Sequence, residues 1–114
     1  MIINRAGADH YIWGGACDGW VLTPGRDLRI IEERMPPRSS ETRHIHHRSR
    51  QFFYVLEGRL TMEMDGTSLT LNPRDGIEIP PMTPHQALND SDDPVVFLVI
   101  SAPGTQDDRT ELPV

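Results

Sequence analysis

Apolar residues in this chain come in short runs cut off by turn residues, and the runs read as β-strands. Leu28 to Met35 is the first clear one. A helix over Asp27–Met35 is disfavoured, because the window lacks a 3.6-residue period and ends at Pro36-Pro37. Thr42 to His46 is a second strand, short and polar. Gln51 to Leu56 is dense in aromatic and β-branched residues and stops at the turn signal Glu57-Gly58. Leu60, Met62 and Met64 alternate with Thr61, Glu63 and Asp65, the period of a strand with one apolar face. Asp65-Gly66 predicts a tight hairpin turn, and Leu69 and Leu71 carry the alternation onto the return strand. After the turn Pro73-Arg74-Asp75-Gly76 come two short strands, Ile77–Ile79 and His85–Leu88. Val95 to Ser101 is a continuous apolar run, which predicts cover on both faces. Seven or eight strands with turns at nearly every junction predict an all-β domain, a small barrel or sandwich.

The two ends read differently. Residues 1–26 are irregular, yet Tyr11, Trp13 and Trp20 are too apolar for a loose tail; an edge strand, a lid or a dimer contact is expected there. Residues 103–114, with Asp107-Asp108-Arg109, are expected to form a solvated, loosely held tail. The barrel itself is placed at residues 27–102.

Composition narrows the partners. At 114 residues the chain is one ordinary domain, and no run of 18 apolar residues predicts a membrane span. No apolar stretch of the secretory type follows Met1, so a cytoplasmic protein is expected, and the single cysteine, Cys17, agrees. Seventeen acidic against 11 basic residues, net −6, argue against a nucleic-acid binder, which needs a basic face. All the bases are arginine; without lysine, Schiff-base chemistry is excluded.

The chemistry lies in the histidines. On a strand, His44 and His46 point to one face while Ile45 points to the other, a two-nitrogen half-site for a divalent metal. By itself such a pair is weak evidence, and His10 and His47 read as ordinary surface or packing residues. The wider spacing changes the weight. His44-Ile45-His46, four residues, Gln51, six residues, Gly58 resembles the first motif of the cupin superfamily, whose usual form has glutamate where Gln51 stands. Asp75, four residues, Pro80-Pro81-Met82-Thr83-Pro84-His85, three residues, Asn89 resembles the second. The resemblance covers about residues 28–101 and implies a small, single-domain metal-binding cupin, a double-stranded β-helix or jelly-roll barrel.

By that resemblance His44, His46 and His85 are nitrogen ligands and Gln51 takes the fourth position. Some cupins use glutamine there, notably small ones acting on unsaturated uronate sugars. Amide-oxygen ligation is the preferred expectation; the alternative has Gln51 hydrogen-bonded in the wall. Two further departures, Arg74 and Met82 where the family has glycine, are expected to alter only turns or pocket shape. The implied cofactor is one divalent transition metal, zinc, iron, manganese or nickel. Neutral donors leave it the full +2 charge, which favours Lewis-acid over redox chemistry.

Alternation from an inward Gln51 turns Phe53 and Val55 inward, and Ala87 sits inward beside His85; with Met62 they are expected to line an apolar pocket for a small molecule. The face shared by Leu60, Met62 and Met64 reads first as core packing. Candidates for acid–base work are weak: Glu33, Arg34 and Tyr11. Arg43 and Arg50 flank the ligands and read as surface ion pairs. The leading expectation is a metal-dependent enzyme carrying out a non-redox isomerisation, tautomerisation or rearrangement of a small polar metabolite. Alternatives are an Fe(II) dioxygenase, a non-catalytic metal- or ligand-binding module, and an N–N bond-forming module, since Arg43–His46 and Gln51–Leu56 look like the cupin of bacterial hydrazine-forming enzymes. A homodimer is expected, because exposed sheet edges need covering.

Overall fold

The computed structural model describes residues 1–113, which form two antiparallel sheets enclosing one core. In chain order the strands are β1 (Asp9–Trp13), β2 (Cys17–Pro24), β3 (Arg29–Met35), β4 (Ser39–Ser40), β5 (His44–His46), β6 (Arg50–Glu57), β7 (Leu60–Met64), β8 (Thr67–Leu71), β9 (Gly76–Ile79), β10 (His85–Asn89), β11 (Val95–Ala102) and β12 (Arg109–Glu111). The first sheet runs β1-β2-β3-β11-β6-β9 and the second β12-β5-β10-β7-β8, with β4 paired to β10. This is the all-β jelly-roll barrel the sequence predicts.

Alternation explains which way each strand faces. On β6, Gln51, Phe53 and Val55 are buried while Phe52 and Leu56 are exposed. On β7, Leu60 and Met62 are fully buried against Phe97, Val95 and Ile79. Asp65 and Gly66 both take positive φ, 51° and 87°, the pair of left-handed residues that a two-residue hairpin requires. Gly58 is needed for a second reason: at φ 77° it passes so close to Pro94 that a Cβ would lie 2.3 Å from the Pro94 carbonyl oxygen.

Three expectations change. The apolar run of β11 is not covered on both faces; Phe97, Val99 and Ser101 are buried inward, but Leu98 and Ile100 lie half-buried on the outside of the first sheet, beside Tyr54 and Phe52. The polar strand is shorter than predicted, because the Thr42 carbonyl turns to accept the His44 imidazole instead of joining a ladder. The segment after Pro103 is not a loose tail. Residues 109–111 add β12 to the edge of β5, pairing Arg109 with His46 and Glu111 with His44. Just before it, the carboxylate of Asp108, 3% exposed, accepts hydrogen bonds from the backbone N–H of Ser49 (2.8 Å) and of Arg48 (3.1 Å). At the other end, β1 and β2 form a hairpin that extends the first sheet past β3, so residues 9–24 supply an edge strand of the chain's own sheet.

Candidate metal centre

His44 and His85 are Cα partners across the β5–β10 pair, and His46 follows one pleat along β5. The register therefore brings three inward imidazoles together from two strands far apart in sequence. Ring centroids are 4.4 Å apart for His44–His85, 4.8 Å for His44–His46 and 5.8 Å for His46–His85. One nitrogen from each ring lies within 4.8 Å of the others, and all three residues are buried.

Hydrogen bonds aim these rings. His44 Nδ1 donates to the Thr42 carbonyl at 2.8 Å and His85 Nδ1 to the Thr83 carbonyl at 2.9 Å, which fixes the tautomer and leaves each Nε2 as a lone-pair donor. Burial, above all else, holds the three imidazoles neutral: His44 is pushed down to about 3, His46 to about 4, and His85 is lowered too. Gln51, on β6 of the facing sheet, gives its amide N–H to Ser101 Oγ at 3.1 Å. Its Oε1 is buried without a partner, as are His85 Nε2 and His46 Nδ1. Buried polar atoms are ordinarily paired. Unpaired acceptor atoms on Gln51 and His85, beside neutral His44 and His46, are what a divalent cation bound here would satisfy. The donor set fits a metal.

The centre opens into a cavity of about 180 Å³ between the sheets. Phe53, Ala87 and Val99 give it apolar walls; Tyr11 and Trp13, from the β1–β2 hairpin, close one side. Two carboxyls and a guanidinium, of Glu33, Glu41 and Arg109, join them, with the hydroxyls of Ser101 and Thr105. Burial first, and the neighbouring Glu41 second, raise the Glu33 carboxyl to about 8. Glu41 rises to about 7 through burial, although its Oε2 accepts a hydrogen bond from the Ala87 N–H at 2.8 Å. Arg109 Nη1 stands 3.9 Å from Glu41 Oε1.

The structure brings His44, His46, Gln51 and His85 into one site and places Glu33, Tyr11, Phe53 and Ala87 beside it. Arg34 goes elsewhere: Glu33 faces inward, so Arg34 faces out, toward Asp18 at 3.8 Å. Val55 and Met62 do not line the cavity; one pleat deeper, they are fully buried in the core. Arg43 and Arg50 make ion pairs with Glu63 (2.6 Å) and Glu78 (3.0 Å). Glu41 and Arg109 escaped the sequence reading, one on a loop and the other on a three-residue strand with no apolar pattern. Arg74 and Met82, standing where glycine was expected, keep the left-handed backbone that glycine favours, at φ 73° and 63°. Their N–H groups donate to Val55 O at 2.8 Å and His46 O at 2.7 Å, so the turns survive the substitutions.

A family model, Cupin_2, described as a cupin domain, matches residues 31–101, a stretch that contains all four converging side chains. The chain belongs to the cupin family. Over 83 residues this cupin is 34% identical to the uncharacterized protein MJ1618 of Methanocaldococcus jannaschii, a match covering 73% of this chain and 66% of that protein. Over 62 residues it is 34% identical to quercetin 2,3-dioxygenase of Bacillus subtilis, covering 54% of this chain but only 18% of the enzyme. It thus spans just under two thirds of one curated relative and less than a fifth of the other. Its fold superposes on the polyketide cyclase RemF from Streptomyces resistomycificus with a TM-score of 0.85 and 19% identity, over all of this chain and 86% of that one. Family membership and the three-histidine cluster together point to a divalent metal at this centre.

Proposed function

We propose that this cupin is a metal-dependent enzyme that isomerises, tautomerises or rearranges a small polar metabolite without net redox change. The observation that carries the reading is the donor set: three buried neutral imidazoles and an amide oxygen, opening into a small cavity that also holds two protonatable carboxyls and a guanidinium. A divalent ion bound there, whether zinc, iron, manganese or nickel, supplies Lewis acidity that no ligand charge diminishes. His44, His46, His85 and Gln51 hold it. Phe53, Ala87 and Val99 keep water from the reacting groups, which strengthens every electrostatic interaction inside. Arg109 offers the cavity's one guanidinium, among the described residues, to an anionic end of the substrate. Glu33 and Glu41 are carboxyls able to give and take protons near neutral pH.

The test is turnover of a panel of small oxo- and hydroxy-acids by metal-loaded, metal-free and anaerobic protein. Loss of turnover on removing metal, with full retention without oxygen, is expected; absolute dependence on O₂ would overturn the reading. That second outcome belongs to an Fe(II) dioxygenase, which the match to quercetin 2,3-dioxygenase favours. Protein purified with zinc that takes up no oxygen after iron reconstitution counts against it.

A further inference from the structure

We propose that Glu33 is the catalytic residue that moves the substrate proton, in a cavity bordered by the Tyr11 ring laid across Gly19; this rests on the metal-centred reading above. The pairing register puts Tyr11 opposite Gly19 and Gly19 opposite Glu33, so the three positions line up across β1, β2 and β3. Gly19 leaves the middle place empty. A Cβ there would lie 2.3 Å from Tyr11 Cζ and 2.7 Å from its hydroxyl oxygen. The phenol therefore lies over Gly19 of β2, and both side chains border the cavity.

Glu33 differs from the other acids nearby. Glu32 is paired with Arg5, and Glu41 is committed to the Ala87 N–H. Among the described residues the Glu33 carboxyl has no hydrogen-bond or ion-pair partner, although it is desolvated. It hangs from the first sheet, whereas His44, His46 and His85 hang from the second. A substrate between the sheets presents its carbonyl to the metal side and an adjacent C–H to Glu33. The groups facing Glu33 are Tyr11 from β1, Glu41 from the loop before β5 and Arg109 from β12; its β11 neighbour, Phe97, is apolar. Burial first and Glu41 second, against the lowering by Arg109, place its protonation change within reach of neutral pH, where a shuttling acid–base group is most effective.

The step balances without a co-reactant. The C–H bond next to the substrate carbonyl breaks, and its proton goes to the Glu33 carboxylate. The electron pair moves into the carbonyl system, and the O–H of Glu33, its hydrogen exchangeable with solvent, returns a proton to the same carbon. The substrate class is a small carbon acid with an anionic end for Arg109, a 2-oxo acid being the simplest member.

The probe is pyruvate in D₂O with manganese-loaded protein, its methyl hydrogens followed by ¹H NMR. Wild type should exchange them faster than the free ion does. E33Q should lose this at least roughly 100-fold at unchanged metal content, and E33D should recover part of it. The inflection of the wild-type pH–rate profile should disappear in E33Q. Independently of turnover, the metal-free protein at neutral pH should show a protonated-carboxyl stretch in the wild-type minus E33Q infrared difference spectrum. Exchange by E33Q equal to wild type, no exchange by metal-loaded wild type, or no such band overturns the assignment. Failure of the wild type to take up manganese overturns the metal-centred reading instead, and is seen before any pyruvate is added.

Discussion

Asp108→Asn should cost this small protein a large part of its stability, although the residue lies outside the core. Its buried carboxylate accepts from Ser49 N–H at 2.8 Å, from Arg48 N–H at 3.1 Å and from Arg48 Nε at 3.4 Å. Burial alone would raise its pKa, but these donors outweigh burial and hold it below the ordinary carboxylate range. An asparagine keeps one acceptor and turns an NH₂ toward a backbone N–H, leaving a buried donor unpaired. Losing one charge-assisted bond of this kind costs about 1.5–3 kcal/mol. The exposed end of the Arg48 pair adds about 0.2–1 kcal/mol. A total of about 2–4 kcal/mol corresponds to a fall in Tm of roughly 10–15 °C in a domain of this size. Urea denaturation of wild type and D108N at pH 7 measures it. The sign with pH follows from the lowered pKa: the contribution is present above the ordinary aspartate value and is lost as pH falls through the folded one, so the two curves should converge in acid. Because Asp108 precedes β12, which carries Arg109, D108N should also fray the strand beside His46, seen as faster amide exchange at residues 109–111. A loss below about 0.5 kcal/mol at pH 7, the ordinary range for an unremarkable surface substitution, would refute the reasoning.

Two further outcomes follow from the cavity. In metal-free protein, Glu33 binds its proton more tightly folded than unfolded, so wild type should lose about 3–5 kcal/mol between pH 4.5 and 8 relative to E33Q, measured by denaturation with a chelator present; parallel curves would contradict the burial of that carboxyl. Gln51→Glu adds a negative ligand, so the variant should bind zinc at least about tenfold more tightly in chelator competition at pH 8; equal or weaker binding would remove residue 51 from the ligand set.

Much of the fold is legible in the sequence because its signals are local. Alternation at Leu60–Met64 and Phe53–Val55, and turns at Asp65-Gly66 and Glu57-Gly58, need no tertiary information. The four converging side chains are legible through motif spacing, and the structure supplies the reason for that spacing: His44 and His85 are partners across two strands. What stayed hidden depends on distant contacts. Arg109-Thr110-Glu111 has no apolar pattern; it becomes a strand because Asp108 ties the chain to Arg48 and Ser49, about 60 residues earlier. On β3, Ile30-Ile31-Glu32-Glu33-Arg34 puts charges on both faces, so the inward choice of Glu33 comes from its neighbours rather than from its pattern. Glu41 enters the cavity from a loop, where no periodicity specifies direction.

The central claim is that the imidazoles of residues 44, 46 and 85 and the amide of residue 51 hold one divalent cation. Elemental analysis of protein purified without a metal-binding tag, alongside the His85→Ala variant, tests it most directly. The account predicts one transition-metal ion per chain in wild type and its loss in H85A with the fold retained by circular dichroism. Metal-free wild type that also fails to take up zinc, manganese, nickel or ferrous iron on dialysis, or H85A that retains a full equivalent, would contradict it.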